Sequence, residues 1–285
     1  MQDVFAHCEA LVRTADKDRF LATLFAPAEH RNALFALYAF NLEVARVREV
    51  VREPLAGEIR LQWWIDLLAG TARGEAEGHP VAAAVLTSMA RYRLPPQLFE
   101  AIIAARRFDL YDEPMATLAE LEAYAEGTSG GLLALATEVL DRDRAHAPAM
   151  GALIRHAGLA HAIAGLLKAL PVHAARGQLF VPREVLERHG SDLQQVAACQ
   201  ATPQLRAALA ELRGRARAHL DEAQTLLPAA GRDVLPALLP VALTGPTLAL
   251  MERPDHDPFA PVELPAWRRQ WLIWRAAKQP VRIFR

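Results

Sequence analysis

Apolar residues recur at three- and four-residue intervals along nearly the whole chain, and that single period limits what it can fold into. Leu34, Leu37, Phe40, Val44, Val47 and Val51 form one such stripe, with Glu43, Arg46, Arg48, Glu49 and Arg52 beside it at spacings that let helical side chains pair. Alternating, β-branched stretches bounded by turns are scarce, so little competes for a sheet. The expected fold class is all-α. Prolines and glycines punctuate the pattern, among them Pro27, Gly57, Pro80, Pro95, Pro148, Pro182, Pro203, Pro228 and Pro254. Between them helices are predicted over 28–52, 58–72, 80–92, 96–109, 117–140, 147–170, 203–227, 231–251 and 264–278. No spacer rich in Ser, Gly or charge interrupts the series, so a single helical domain is expected over 1–252. Residues 253–285 then hold a linker, Pro254-Asp255-His256-Asp257-Pro258, and a last helix packed on or next to that domain.

A hydrophobic content of 52% supplies a large core, and 32 basic against 33 acidic residues leave a formal net charge of −1. Such a chain has no global field to gather nucleic acid, and no nucleic-acid partner is expected. Cys8 and Cys199 form no metal or redox motif, which points away from a disulfide. The opening residues show no basic stretch leading into an apolar one, so a cytoplasmic location is the expectation. The longest uncharged stretch, Val234 to Met251, contains Pro236, Pro240, Gly245 and Pro246 and reads as a buried, broken helix rather than a membrane span.

Several motifs fall in a recognisable order. Arg19-Phe20-Leu21-Ala22-Thr23-Leu24-Phe25-Ala26-Pro27 is followed by Arg31 and by Leu37-Tyr38-Ala39-Phe40. Trp64, His79-Pro80-Val81, Asp109-Leu110, Tyr124 and Gly130 come next, and then Arg176-Gly177-Gln178-Leu179-Phe180-Val181-Pro182. This ordered set, spanning roughly residues 18 to 252, resembles the squalene/phytoene synthase family. The resemblance implies an isoprenoid-synthase-like helical bundle around a central cavity, with aspartate-rich motifs on two facing helices. Those aspartates have a physical task. Allylic diphosphates carry several negative charges, and Mg²⁺ held by carboxylates compensates them and draws off the leaving group.

The matching stretches here depart from that pattern. Where the first motif would place its leading aspartates stand Ala45 and Arg46, and only Glu49 keeps a carboxylate, set in an Arg/Glu ladder. Counting back from Pro182, the second motif falls on Ala162, Gly165, Lys168, Ala169 and His173, with no acid or amide among them. No metal and no cofactor are therefore expected; Mg²⁺ would return only if the chain were an active transferase. His173 reads as a surface residue, since one histidine without a partner makes no metal site.

One branch of the superfamily departs in the same way, the assembly factors of respiratory complex I, the NADH:ubiquinone oxidoreductase. Ala39-Phe40-Asn41-Leu42-Glu43-Val44-Ala45-Arg46-Val47 and Ile59-Arg60-Leu61-Gln62-Trp63-Trp64 are similar to it, as are Tyr124-Ala125-Glu126 and His189-Gly190 after Phe180-Val181-Pro182. The resemblance implies a noncatalytic assembly or chaperone role, with complex I subunits or assembly intermediates as partners. It also implies a cavity able to take an isoprenoid or lipid, its candidate residues being Phe20, Tyr38, Asn41, Ala45, Tyr124, Gly130, Gly165, Lys168, Ala169 and Phe180. The alternatives are an active transferase condensing two farnesyl or geranylgeranyl diphosphates with Mg²⁺, and a lipid-binding module without partner specificity.

Other constellations carry less. His156 and His161 are five residues apart and do not share a helical face. Gly127-Thr128-Ser129-Gly130-Gly131 lacks the Lys-Ser/Thr of a phosphate loop and reads as a kink or a close helix approach. Toward the C-terminus, Trp267, Trp271 and Trp274 lie at i, i+4 and i+7 among Arg268, Arg269, Arg275 and Lys278. Two readings stand: the tryptophans staple the helix to the bundle, or they meet a membrane interface, here the inner face of the respiratory membrane.

Overall fold

A computed structural model describes residues 3–51, 53–71 and 78–285, and every regular element among them is helical. Arg52 and the predicted helix ends at 52 and 72 lie outside the described residues. The chain divides into two compact units: Met1–Tyr111 with Gly131–Gly151 and Pro228–Pro240, and Asp112–Gly130 with Ala152–Leu227 and Val241–Arg285.

In the first unit the helices Asp3–Ala15, Ala28–Ala45, Pro80–Tyr92, Pro96–Arg106 and Gly131–Leu140 pack around Leu34, Leu37 and Phe40. The Phe40 ring meets Trp64 and Phe99 edge-on, at 5.1 and 5.2 Å between centroids, the arrangement aromatic quadrupoles favour. Pro54 opens the helix Pro54–Leu68 rather than ending the one before it, because proline has no amide proton to lose in a first turn. The predicted helix 28–52 breaks at Arg46, giving Ala28–Ala45 and the single turn Val47–Val50. The N-terminal helices Asp3–Ala15 and Lys17–Thr23 were not predicted; Asp16 caps the second by accepting the Arg19 amide proton.

In the second unit the long helix Pro203–Leu226 buries Leu205, Leu209, Leu212, Ala216 and Leu220 on one face. Short unpredicted helices, Arg183–Arg188 and Leu193–Ala197, follow the loop through Phe180. The predicted helix 117–140 is interrupted by one π turn, Glu126–Gly130, at the glycine-rich stretch. The helix Pro148–Lys168 comes so near that a Cβ on Gly158 would sit 2.7 Å from the Cα and N of Gly130. Both expectations for that stretch, a distortion and a close approach, are met. The uncharged stretch toward Met251 is indeed buried and broken, into Leu235–Leu238, the 3₁₀ turn Leu239–Leu243 and Thr244–Met251.

Candidate functional site

The first motif begins on Ala28–Ala45 and runs into Val47–Val50. Ahead of it, Phe20 stacks on Phe35 at 5.7 Å, and the Arg19 guanidinium lies 5.7 Å from the Tyr38 ring centre while donating to Asp16 Oδ2 at 2.5 Å. Burial pushes the Tyr38 phenol up to about 12, so its hydroxyl stays protonated. Asn41 is buried, Ala45 half-buried, and Arg46 and Glu49 are exposed. These residues do not fit magnesium. A methyl group and a guanidinium occupy two of the three places for oxygen donors, and Mg²⁺ holds poorly to one exposed carboxylate.

The second motif lies on Pro148–Lys168 and Leu170–Ala175. Ala162 and Ala169 are half-buried, and Gly165 and Lys168 are exposed. His173 is not the surface residue expected: it is half-buried with its ring 4.5 Å from that of Phe180, whose ring also meets Tyr124 at 5.5 Å. The chain returns to place Phe180 there through Gly177, at φ +72°, and the Gln178 amide donates to the His173 carbonyl at 2.9 Å. Around this cluster Leu121, Ile163, Leu167, Leu170 and Leu212 leave a slot of about 10 Å³, room for roughly one water. Gly130 meets Gly158 through backbone. Among the described residues no three His, Cys, Asp or Glu side chains converge in a way that could hold a metal ion.

Beside the first motif the first unit carries an open cleft of about 330 Å³, lined by Glu43, Val47, Ile59, Arg60, Trp63, Trp64 and His79. Its aromatic wall is tightly coupled: Trp63 and Trp64 meet edge-on at 5.1 Å, and the His79 ring lies 5.4 and 5.5 Å from them. His79 is held in place because it caps Pro80–Tyr92, its Nδ1 accepting the Ala82 amide proton at 3.3 Å. With one carboxylate and one guanidinium at the rim of an apolar wall, the cleft suits an amphipathic guest better than a bare anion. Glu43, Val47, Ile59, Arg60, Trp63 and Trp64 all come from the two sequence stretches similar to the assembly-factor branch. The i, i+4 pairs Glu43/Val47 and Ile59/Trp63 were the signal that could have joined them in one site.

The second unit also holds a polar network around the buried His219 that sequence reading missed. His156 does not pair with His161, which instead meets the Thr244 hydroxyl at 3.2 Å; its Nδ1 lies 2.9 Å from Nδ1 of His219. His219 Nε2 approaches Glu122 at 3.5 Å, and Arg215 donates to the same carboxylate at 2.6 Å. Burial holds the His219 imidazole below its ordinary value, opposed in part by Glu122. Burial alone would raise Glu122, but the hydrogen bond and charge of Arg215 bring it below the usual carboxylate range.

The last helix, Ala266–Lys278, overturns the stapling reading. It turns Leu272, Ile273 and Ala276 inward, whereas Trp267, Trp271 and Trp274 are 69%, 46% and 52% exposed. Arg268 and Arg275 are half-buried, Lys278 is exposed, and the Arg275 guanidinium lies 4.4 Å over the Trp271 ring.

The family model for squalene/phytoene synthases matches residues 12–275. The chain belongs to that family. Its helices also agree with solved family structures: squalene synthase HpnC from Alicyclobacillus acidocaldarius superposes with a TM-score of 0.71 over 91% of this chain and 95% of that one, at 24% identity. Among sequence relatives, the NADH dehydrogenase (ubiquinone) complex I assembly factor 6 of Mus musculus is 30% identical over 255 residues, 90% of this chain and 76% of its own length. A 15-cis-phytoene synthase of Synechococcus elongatus is 24% identical over 285 residues, covering 94% of this chain and 91% of its own. Membership therefore places the chain in a family with synthases and assembly factors alike among its relatives.

Proposed function

We propose that this family member does not transfer prenyl groups and instead serves the assembly of respiratory complex I, presenting the Trp63/Trp64/His79 cleft to a subunit or assembly intermediate. The observation that carries the reading is that Ala45, Arg46, Ala169 and His173 stand at motif carboxylate places, and Ala162 and Gly165 at amide places, in a chain about 30% identical to an assembly factor. Electrostatics gives the reason. Without several acidic oxygens to recruit Mg²⁺, a diphosphate has nothing to neutralise it and no route for its departure. No cofactor is required for such a role, and a cytoplasmic location suits it.

The test is deletion in the native host followed by complementation. Loss of NADH:ubiquinone oxidoreductase activity and of fully assembled complex I, restored by the wild-type chain but not by Trp63→Ala, is the expected result. Intact complex I in the deletion strain would end this reading. The second reading, a prenyl transferase, is favoured by the phytoene synthase relative, which matches over nearly its full length. Purified protein incubated with farnesyl or geranylgeranyl diphosphate, Mg²⁺ and NADPH is expected to yield no condensed product; a Mg²⁺-dependent C30 or C40 hydrocarbon would establish that reading instead. Lipid retained in native mass spectrometry would support a bound isoprenoid or acyl chain, alone or alongside the assembly role.

A further inference from the structure

The last helix presents a face that its own packing does not need. Leu272, Ile273 and Ala276 already bury its inner side, and the segment after it is pinned: Ile283 and Phe284 are buried, and a Cβ on Gly245 would lie 3.5 Å from the Arg285 carbonyl carbon. The helix is therefore held in a defined orientation with three tryptophans pointing outward, and Val281 in the turn after it is exposed as well. Leaving three indoles in water forfeits apolar transfer free energy that inward-facing side chains would have gained.

Charge decides what covers them. Beyond Glu263 the chain carries six cations, Arg268, Arg269, Arg275, Lys278, Arg282 and Arg285, and no acid, in a molecule whose formal net charge is −1. Indole rings settle at the headgroup level of a bilayer, where the N–H stays hydrated and the ring is sheltered, and cations beside them gain from anionic lipid. A thirteen-residue helix is about 20 Å long, too short to cross but suited to lie in the interface plane. The one described helix long and apolar enough to span, Pro148–Lys168, is instead mostly buried within the protein.

We propose that Ala266–Lys278 is a membrane-docking helix, its Trp267/Trp271/Trp274 face seated at the interface of an anionic bilayer. The contact is reversible and salt-sensitive, because three indoles and a handful of cations anchor far more weakly than a spanning helix.

The test is flotation of the purified full-length chain with two kinds of vesicle, phosphatidylcholine alone and phosphatidylcholine with about one-third phosphatidylglycerol. Wild type is expected to float with the anionic vesicles, to be released as salt rises, and to ignore the neutral ones. Trp267→Ala/Trp271→Ala/Trp274→Ala, and separately Arg268→Gln/Arg275→Gln/Lys278→Gln, are each expected to weaken binding by more than about tenfold. The Trp triple variant is expected to keep the wild-type thermal midpoint, since its three side chains face solvent. Failure of wild type to float at low salt, or unchanged binding by the Trp variant, overturns the proposal. If wild type ignores vesicles while the Trp variant alone loses complex I intermediates in pull-down, the face is a protein-docking surface and the proposal is likewise overturned. Vesicles and purified chain need no complex I, so this outcome is independent of the assembly role.

Discussion

The two motif regions have different surroundings. Beside Ala45 and Arg46 the first unit keeps an open cleft of about 330 Å³ with tryptophans on its wall and a carboxylate and guanidinium at its rim. Beside His173 the second unit leaves a slot of only about 10 Å³, lined by leucines and the Phe180 ring, while Gly165 and Lys168 of the same motif stay exposed. Substitutions in the open cleft should act on recognition, and those in the packed cluster around Phe180 on stability.

The largest effect should come from the packed cluster around Phe180. Phe180→Ala removes a buried ring touching both Tyr124 and His173 and is expected to cost about 3–5 kcal/mol, measured by urea unfolding; a loss comparable to a surface change would break the contrast. Gly158→Ala forces a Cβ against the Gly130 backbone and should cost about 1–3 kcal/mol, seen as a lowered thermal midpoint.

A smaller effect concerns acid stability. His219 and Glu122 both have folded values below their ordinary ones of 6.5 and 4.5. In the window below each ordinary value the unfolded chain binds more protons, so stability falls as pH drops, first through His219 and then through Glu122. His219→Gln should flatten the loss that starts below pH 6.5 while leaving the later carboxylate step, as stability measured across pH would show. Trp63→Ala, in the open region, should cost only about 1 kcal/mol yet abolish complementation. Smallest of all, millimolar Mg²⁺ or a chelator should move the thermal midpoint by less than about 1 °C; a larger rise would mean a metal site has been overlooked.

Much of the fold was readable from helical period and proline placement, because those report local backbone preference. Breaks such as those at Arg46 and Ala169 were not, since they leave the apolar period nearly intact. That Ala45, Arg46, Gly165 and Ala169 offer no side-chain oxygen donor could be read residue by residue, as it is a matter of side-chain chemistry. The partners of His156 and of His173 were hidden because His219 and Phe180 reach them through tertiary packing. The tryptophans at 267, 271 and 274 share the spacing of a core stripe. Only the inward placement of Leu272 and Ile273 shows which stripe the protein uses.

His79 has two jobs at once: its ring is part of the aromatic wall, and its Nδ1 is the acceptor that starts Pro80–Tyr92. Any visitor that rotates the imidazole must leave the Ala82 amide without its bond. Slow or fast deuterium uptake at that one amide would then serve as a built-in gauge of whether the cleft is occupied, with no label attached to the visitor.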